Sequence, residues 1–264
     1  MNTQPITLPA CRKGGGWQMK RKQFGLLLVG LFGAAALANL RAEGADKRVK
    51  GSGTAKTDSR PVSDVQKVSV HGVGTLIVEV GATESLTIEA DDNILPLIEV
   101  KQSGGTWQIG PARGVSVEPR TPIRYRLRVK NLQSLGLSGA TRAELKPLPN
   151  VAAFDLALSG ATSAQFDRLE TDTLKVDASG ASRIDINAGN VKQQTIDLSG
   201  ASRYRAFPLK SESATIRGSG TSSVEVTATR ELRVQASGVT SVRYKGSPAE
   251  VKSDTSGVSS VKSA

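Results

Sequence analysis

Cysteine and histidine are almost absent from this chain of 264 residues, which has one of each. Cys11 has no partner for a disulfide within the chain, and a zinc site built from several cysteines is excluded. His71 stands beside no nucleophile motif and no paired carboxylate, so a substitution within a repeat explains it better than catalysis. We therefore predict no metal, no cofactor and no enzymatic activity.

Long apolar runs are also scarce, and the one that stands out lies near the N-terminus. Lys20-Arg21-Lys22 precede an apolar run over residues 24–37, and Ala36-Leu37-Ala38 has the small-x-small pattern of a cleavage site. The run is shorter than the ~20 residues of a membrane-spanning helix. An uncleaved anchor is the alternative interpretation. Residues 1–38 are predicted to be a signal peptide, with Met19 as a second candidate start, of a protein exported to the periplasm or envelope of a bacterium without a stable transmembrane span.

Basic residues exceed acidic ones, but only moderately once the predicted signal peptide is removed. The whole chain has 35 basic and 24 acidic residues and a net charge of +11. Residues 1–38 contain five of the basic residues and none of the acidic ones, which leaves 30 against 24 and a net charge of +6. Such a surplus favours contact with an anionic envelope polymer or a glycan, and supports nucleic-acid binding only weakly. We predict the former kind of partner and no nucleic acid.

A Ser-Gly step recurs seven times in the C-terminal half. Successive serines are 21, 20, 20, 20, 18 and 19 residues apart. They are Ser138, Ser159, Ser179, Ser199, Ser219, Ser237 and Ser256. Self-similarity at this period indicates a solenoid, whereas leucine-rich repeats, propeller blades and helical repeats have other spacings.

Apolar residues fall in columns when each repeat serine is numbered zero. Position +5 is apolar in all seven copies, and positions −3 and +7 are apolar in the first six, so each repeat supplies two strands of period 2, one on either side of the Ser-Gly step. Position +2 is alanine in four copies, and we expect this small residue to let the chain turn a tight corner over its own core. The low aromatic content of 4% suits a narrow aliphatic interior. The predicted fold is all-β, a right-handed parallel β-helix with ~20-residue coils.

The first half of the chain departs from this period. Residues 39–48 are polar and predict a linker before a domain over residues 49–264. Gly51-Ser52-Gly53-Thr54 and Val70-His71-Gly72-Val73 resemble degenerate copies of the repeat, so an additional N-terminal coil is expected. An irregular insert is predicted over residues 81–130, with strands at residues 85–90 and 123–130 and a turn at Gly104-Gly105. The insert also contains three prolines that predict a surface excursion, Pro111, Pro119 and Pro122.

Candidate binding residues are arginines that share a strand face or a repeat position. Three alternate along one predicted strand, and two share position +4 of neighbouring repeats. A solvated strand face is the simpler interpretation, but together they form the predicted binding surface: Arg124, Arg126, Arg128, Arg183 and Arg203. The hydroxyl residues at positions zero and +3 are explained by turn chemistry, in preference to a ligand-binding stripe.

An enzyme is the alternative function. Asp177 and Asp197 share position −2 near two arginines, an arrangement resembling polysaccharide lyases, in which a metal acidifies the proton that a basic residue removes. Only two consecutive copies carry a carboxylate at this position, so we favour a non-enzymatic binding or structural module.

Opposite charges alternate at position +6 and predict a surface ion-pair ladder of Asp185, Arg205, Glu225 and Arg243. The weak last repeat predicts an open sheet edge, covered by charge, by a second copy or by a capping partner.

Four features recur together in one order. They are Gly51-Ser52-Gly53, the strand at residues 85–90, Asn93-Ile94-Leu95-Pro96 and the serial Leu-Ser-Gly-Ala steps. This order resembles the putative auto-transporter adhesin, head GIN domain family over residues 49–262. The resemblance implies an exported bacterial envelope protein with a right-handed β-helical body. The family has no established biochemical activity.

Overall fold

The computed structural model describes residues 47–264, and this part of the chain is all-β. The predicted signal peptide and most of the predicted linker lie outside the described residues. Within residues 47–264, no helix is long and apolar enough to cross a membrane. The described elements are one 3-10 turn (Leu95–Leu97) and 21 strands: β1 (Lys47–Lys50), β2 (Ala55–Arg60), β3 (Lys67–Val70), β4 (Val73–Val80), β5 (Ser85–Asp91), β6 (Ile98–Ser103), β7 (Thr106–Pro111), β8 (Val115–Glu118), β9 (Arg124–Val129), β10 (Ser134–Leu137), β11 (Ala140–Leu145), β12 (Val151–Leu158), β13 (Ser163–Phe166), β14 (Leu169–Ala178), β15 (Arg183–Ile186), β16 (Gly189–Leu198), β17 (Arg203–Gly218), β18 (Thr221–Ala236), β19 (Val239–Lys245), β20 (Glu250–Thr255) and β21 (Ser260–Ser263).

The repeats form a parallel β-solenoid of about six turns, which confirms the predicted fold class. Strands of successive coils pair in parallel, and Leu135, Leu156 and Val176 stand directly above one another. The side chains at positions −3, +5 and +7 line the interior, and nearly all of them are buried. Phe154 and Phe166 add an edge-to-face aromatic pair with ring centroids 5.6 Å apart. Close packing of these stacked columns is the main source of stability.

Each coil turns its corner at the glycine after the repeat serine. These glycines have φ between +72° and +91°. We call them the glycine column: Gly72, Gly139, Gly160, Gly180, Gly200, Gly220, Gly238 and Gly257. From Gly139 onward, a Cβ on each would lie 2.4–2.7 Å from the carbonyl oxygen of the glycine one coil before. We expected a small residue at position +2 to allow the tight corner, and this was wrong because that residue is exposed. The residue that must be small is the glycine at position +1.

The expected N-terminal coil is present at one of its two predicted places. β3 and β4 pair in parallel with β10 and β11, so His71 takes the place of the repeat serine and Gly72 begins the glycine column. The interpretation of residues 51–54 as a repeat copy was wrong, because β2 that follows them pairs antiparallel with β5. β1 begins at Lys47, inside the predicted linker, and pairs with β8.

The region predicted as an irregular insert contributes a further layer of the solenoid. The strands predicted at residues 85–90 and 123–130 are present as β5 and β9, and Gly104-Gly105 forms the predicted turn between β6 and β7. However, β7 pairs in parallel with β3, and β9 with β4, so both strands extend the stack. Pro111, expected on a surface excursion, is buried at the end of β7. The prediction of a surface excursion is wrong for β7 and β9, because their side chains Ile109, Tyr125 and Leu127 are buried in the same interior as those of the repeats.

Asp91 joins three segments at this end of the solenoid. Its buried carboxylate accepts hydrogen bonds from the backbone N–H of Gly53 (2.8 Å) and Arg120 (2.9 Å) and from the Thr121 hydroxyl (2.9 Å). Burial raises the pKa of Asp91, but these hydrogen bonds and that of the Thr121 N–H outweigh burial, and the pKa lies below its ordinary value. The charged carboxylate therefore holds residues 51–54 against the loop after β8.

Asp91→Asn is expected to lower the unfolding temperature by a few degrees at pH 7, because the amide cannot accept all of these hydrogen bonds. A carboxyl group with a depressed folded-state pKa stabilises the fold above its unfolded pKa of about 3.9, and the contribution is lost as pH falls through the folded pKa. The difference between wild type and variant should therefore shrink below about pH 4. This difference is measured by thermal unfolding of both proteins between pH 3 and pH 7, in steps of ~0.5 pH unit that bracket the unfolded pKa. Asp92→Asn, at an exposed neighbour, is the control, and an equal loss there would contradict the role of Asp91.

Candidate functional site

The two hydroxyl columns at the corner have different environments. At position +3 the residues of the first six copies are buried, and the hydroxyls of Ser182, Ser202 and Ser222 donate to the carbonyl oxygens of their own repeat serines at 2.7, 2.7 and 2.9 Å. This confirms the turn-chemistry interpretation for that column. At position zero the side chains are largely exposed, and the hydroxyls of Ser179 and Ser219 reach a neighbouring coil only at 3.4 Å. Bonds of that length are weak, so the position-zero hydroxyls can bond a ligand.

A groove of about 770 Å³ runs along the axis beside these exposed serines. We call it the serine groove. Its wall is the column of repeat serines, its floor is the column at position −1, and its far side is the column at position −2. Residues from Ser138 to Ser256 line it, which at ~4.8 Å per coil corresponds to a length of about 30 Å. The shape suits an extended ligand that lies parallel to the solenoid axis.

Three of the four charged residues that line the serine groove are in ion pairs, and the fourth, Asp254 near its C-terminal end, forms none within residues 47–264. The ammonium group of Lys175 lies 3.0 Å from Asp177, and the guanidinium of Arg217 lies 3.2 Å from Asp197. The hydrogen bond and the charge of Asp177 hold the pKa of Lys175 above its ordinary value. In residues 47–264 no three His, Cys, Asp or Glu side chains gather as a metal site would require. The middle of the groove is thus close to electrically neutral.

The structure separates the residues of the hypothetical lyase site. Asp177 and Asp197 line the serine groove, whereas Arg183 and Arg203 do not. These arginines follow the corner, and the aspartates precede it. His71 is engaged elsewhere, since its Nε2 lies 3.0 Å from the carbonyl oxygen of Pro111 and donates to it. The arrangement therefore does not assemble the acid and base that the alternative function needs.

Three of the five arginines predicted to form a binding surface fall in one column. The register from β9 through β4 and β11 to β13, β15 and β17 aligns them on the outer face after the corner. Arg142, which the sequence analysis missed although it also occupies position +4, joins them. We call this set the arginine column: Arg124, Arg142, Arg183 and Arg203.

The other two predicted arginines lie in adjacent columns on the same face. Arg126 is aligned with Ile77 and Arg128 with Glu79, whose carboxylate lies 3.8 Å from the Arg128 guanidinium. The predicted ladder at position +6 is stacked in register, but within residues 47–264 it closes only one ion pair, between Glu225 and Arg243.

Most of the solenoid, from β3 to β19, matches the model of a known family. The family described as putative auto-transporter adhesin, head GIN domain matches residues 64–248. The chain belongs to this family. Among curated proteins, none matches the chain.

Solved structures share the head GIN fold. A putative adhesin from Bacteroides fragilis has a TM-score of 0.77 at 19% identity, over 82% of this chain and 100% of that one. A putative adhesin from Parabacteroides distasonis has a TM-score of 0.65 at 23% identity, over 83% and 100%. A putative lipid binding protein from the same species has a TM-score of 0.65 at 21% identity, over 83% and 100%. At these identities the likeness establishes the head GIN fold and not the ligand.

Proposed function

We propose that this protein is an exported, non-enzymatic binding module of the bacterial cell envelope that holds a glycan chain along the serine groove. The observation that carries the proposal is the groove itself, continuous over the repeat coils and walled by hydroxyls that no strong internal hydrogen bond occupies. Membership of a family of putative adhesins supports a binding role at the cell surface or envelope.

The chemistry of the groove favours a polar ligand over a lipid. The floor side chains Leu137, Leu158 and Leu198 are only 2–3% exposed. Apolar atoms make up more of the lining than polar ones, but an acyl chain laid in the groove would leave the wall of serine hydroxyls without hydrogen-bond partners. Serine hydroxyls both donate and accept hydrogen bonds, as sugar hydroxyls do. Internal pairing of Asp177 and Asp197 leaves no strong electrostatic field in the middle of the groove, which favours an uncharged glycan.

Ser159→Ala/Ser179→Ala/Ser199→Ala should weaken glycan binding by about tenfold to a thousandfold or more, because three hydrogen bonds at roughly 0.5–1.5 kcal/mol each are lost. Wild-type protein is first applied to an array of neutral and acidic oligosaccharides, and a neutral oligosaccharide that binds is then titrated by calorimetry. We expect longer oligosaccharides to bind and monosaccharides not to.

The matched control is Ser163→Ala/Ser223→Ala/Ser241→Ala, which removes the same number of hydroxyls from a stacked column on the other side of the corner. Its affinity for the neutral oligosaccharide should equal that of wild type. An array without binding above background would overturn the proposal, as would retention of a long-chain fatty acid in place of any glycan. Formation of unsaturated uronate products from polygalacturonate would contradict the non-enzymatic role.

A further inference from the structure

The outer face after each corner carries a column that contains cations and no acid. The register aligns the arginine column with hydroxyl residues of the intervening and following coils. From the N-terminal end, the aligned residues are Arg124, Thr75, Arg142, Ser163, Arg183, Arg203, Ser223, Ser241 and Ser260. Every residue in this line carries either a guanidinium group or a hydroxyl group, so the line offers hydrogen-bond donors throughout.

Three of the four arginines have free charges. Within residues 47–264, Arg142, Arg183 and Arg203 are exposed and make no ion pair, whereas Arg124 lies 3.3 Å from Glu89. Arg183 and Arg203 stand on adjacent coils, and like charges directly opposite each other on paired strands are destabilising. An anion bound between their guanidinium groups would remove this repulsion and gain charge-assisted hydrogen bonds.

The charges at position +6 show that the arginine column is a narrow line of positive charge and not part of a broad basic surface. At position +6 the charges alternate in sign, with Asp185, Arg205, Glu225 and Arg243 on successive coils. Position +2, on the other side, holds only alanine, threonine and valine, so cations without interleaved acids are confined to a single column. At ~4.8 Å per coil it extends about 24 Å from Arg124 to Arg203. A membrane surface would be matched by a broad basic patch, whereas a linear polyanion is matched by a line.

We infer that the arginine column binds a linear acidic polysaccharide that runs parallel to the solenoid axis. Its acidic groups pair with Arg142, Arg183 and Arg203, and the Ser163 hydroxyl between Arg142 and Arg183 bonds the sugar or the acidic oxygens. Arginine suits this task because its planar guanidinium binds carboxylate and sulfate groups through two parallel hydrogen bonds. The site lies across the corner from the serine groove and goes beyond the function proposed for that groove.

The test uses the whole chain with polygalacturonate as the acidic probe. Arg183→Ser/Arg203→Ser gives the column the residue that it already has at Ser163 and Ser223, so the coils should remain folded. We expect this variant to bind at least about tenfold more weakly, with a shallower dependence of affinity on salt. The matched control, Arg205→Ser/Lys210→Ser, removes the same charge from positions of β17 that are exposed and form no ion pair within residues 47–264. It should change affinity less than about twofold.

Three results would overturn the inference. Equal weakening in both double variants would mean that binding follows net charge, and no binding of polygalacturonate by wild type at low salt would remove the site. If the protein bound phosphatidylserine vesicles but did not bind polygalacturonate, the arginines would be assigned to a membrane surface. The serine-groove variant should bind polygalacturonate as wild type does, so failure of one proposal is seen separately from failure of the other.

Discussion

Gly180→Ala is expected to lower the free energy of unfolding by about 3 kcal/mol or more, because two costs add at one position. Gly180 has φ of +76°, a conformation that disfavours any Cβ. In addition, the new Cβ would lie 2.7 Å from the carbonyl oxygen of Gly160, a backbone atom that cannot move without shifting its own coil. Chemical denaturation followed by circular dichroism measures the loss.

Two other glycines separate these costs. Gly105 has φ of +75° with no atom within 4 Å of the Cβ position, so Gly105→Ala should cost only about 1 kcal/mol. Gly136 stands in the same column as Ala157, and Gly136→Ala should change stability by less than about 0.5 kcal/mol. Similar losses for Gly180→Ala and Gly105→Ala would show that the stacking of corners does not demand glycine.

Tyr204→Phe is expected to cost about 2 kcal/mol, because it breaks a buried chain of hydrogen bonds. The Tyr204 hydroxyl donates to Gln194 Oε1 at 2.9 Å, and Gln194 Nε2 donates to Ser211 Oγ at 2.8 Å. Ser211 Oγ in turn donates to the carbonyl oxygen of Thr227 at 2.6 Å. Burial raises the pKa of Tyr204, so its hydroxyl stays protonated and able to donate. Its removal leaves Gln194 Oε1 buried without a donor.

Tyr125→Phe is the matched comparison, and its effect should be near zero or stabilising by up to about 1 kcal/mol. The Tyr125 side chain is as buried as that of Tyr204, yet within residues 47–264 its hydroxyl has no hydrogen-bond partner. Removing that hydroxyl therefore abolishes a desolvation cost and breaks no bond. Equilibrium unfolding of both variants gives the two values, and equal losses would mean that the Gln194 network contributes nothing.

Features that recur in every coil could be predicted because each coil repeats the same local demand. The columns at positions −3, +5 and +7 are buried as alternation predicts, and a glycine stands wherever φ must be positive at a corner. The distinction between the two hydroxyl columns could not be predicted in the same way. Residues three apart around a corner differ in whether they point inward or outward, and that depends on the turn geometry.

The candidate site was predicted less completely than the fold. Arg183 and Arg203 were grouped by their repeat position, but Arg124 lies in a segment without the repeat, and only the pairing of β9 with β4 aligns it with them. The same pairing left Arg126 and Arg128 in other columns. Asp177 and Asp197 were grouped correctly, yet the corner directs them away from the arginines suggested as their partners.

The amino-acid sequence by itself determined the solenoid, its pitch and its apolar columns, because a period of about twenty residues imposes the same local conformation on each coil. Only the tertiary structure decided that β7 and β9 extend the stack, that Asp91 holds residues 51–54, and that the serine groove and the arginine column lie on opposite sides of the corner. Alternation along a strand tells which side chains face inward. Long-range backbone hydrogen bonds and burial of a shared core decide which distant strand lies above or below a given strand. The local sequence pattern does not determine either of them.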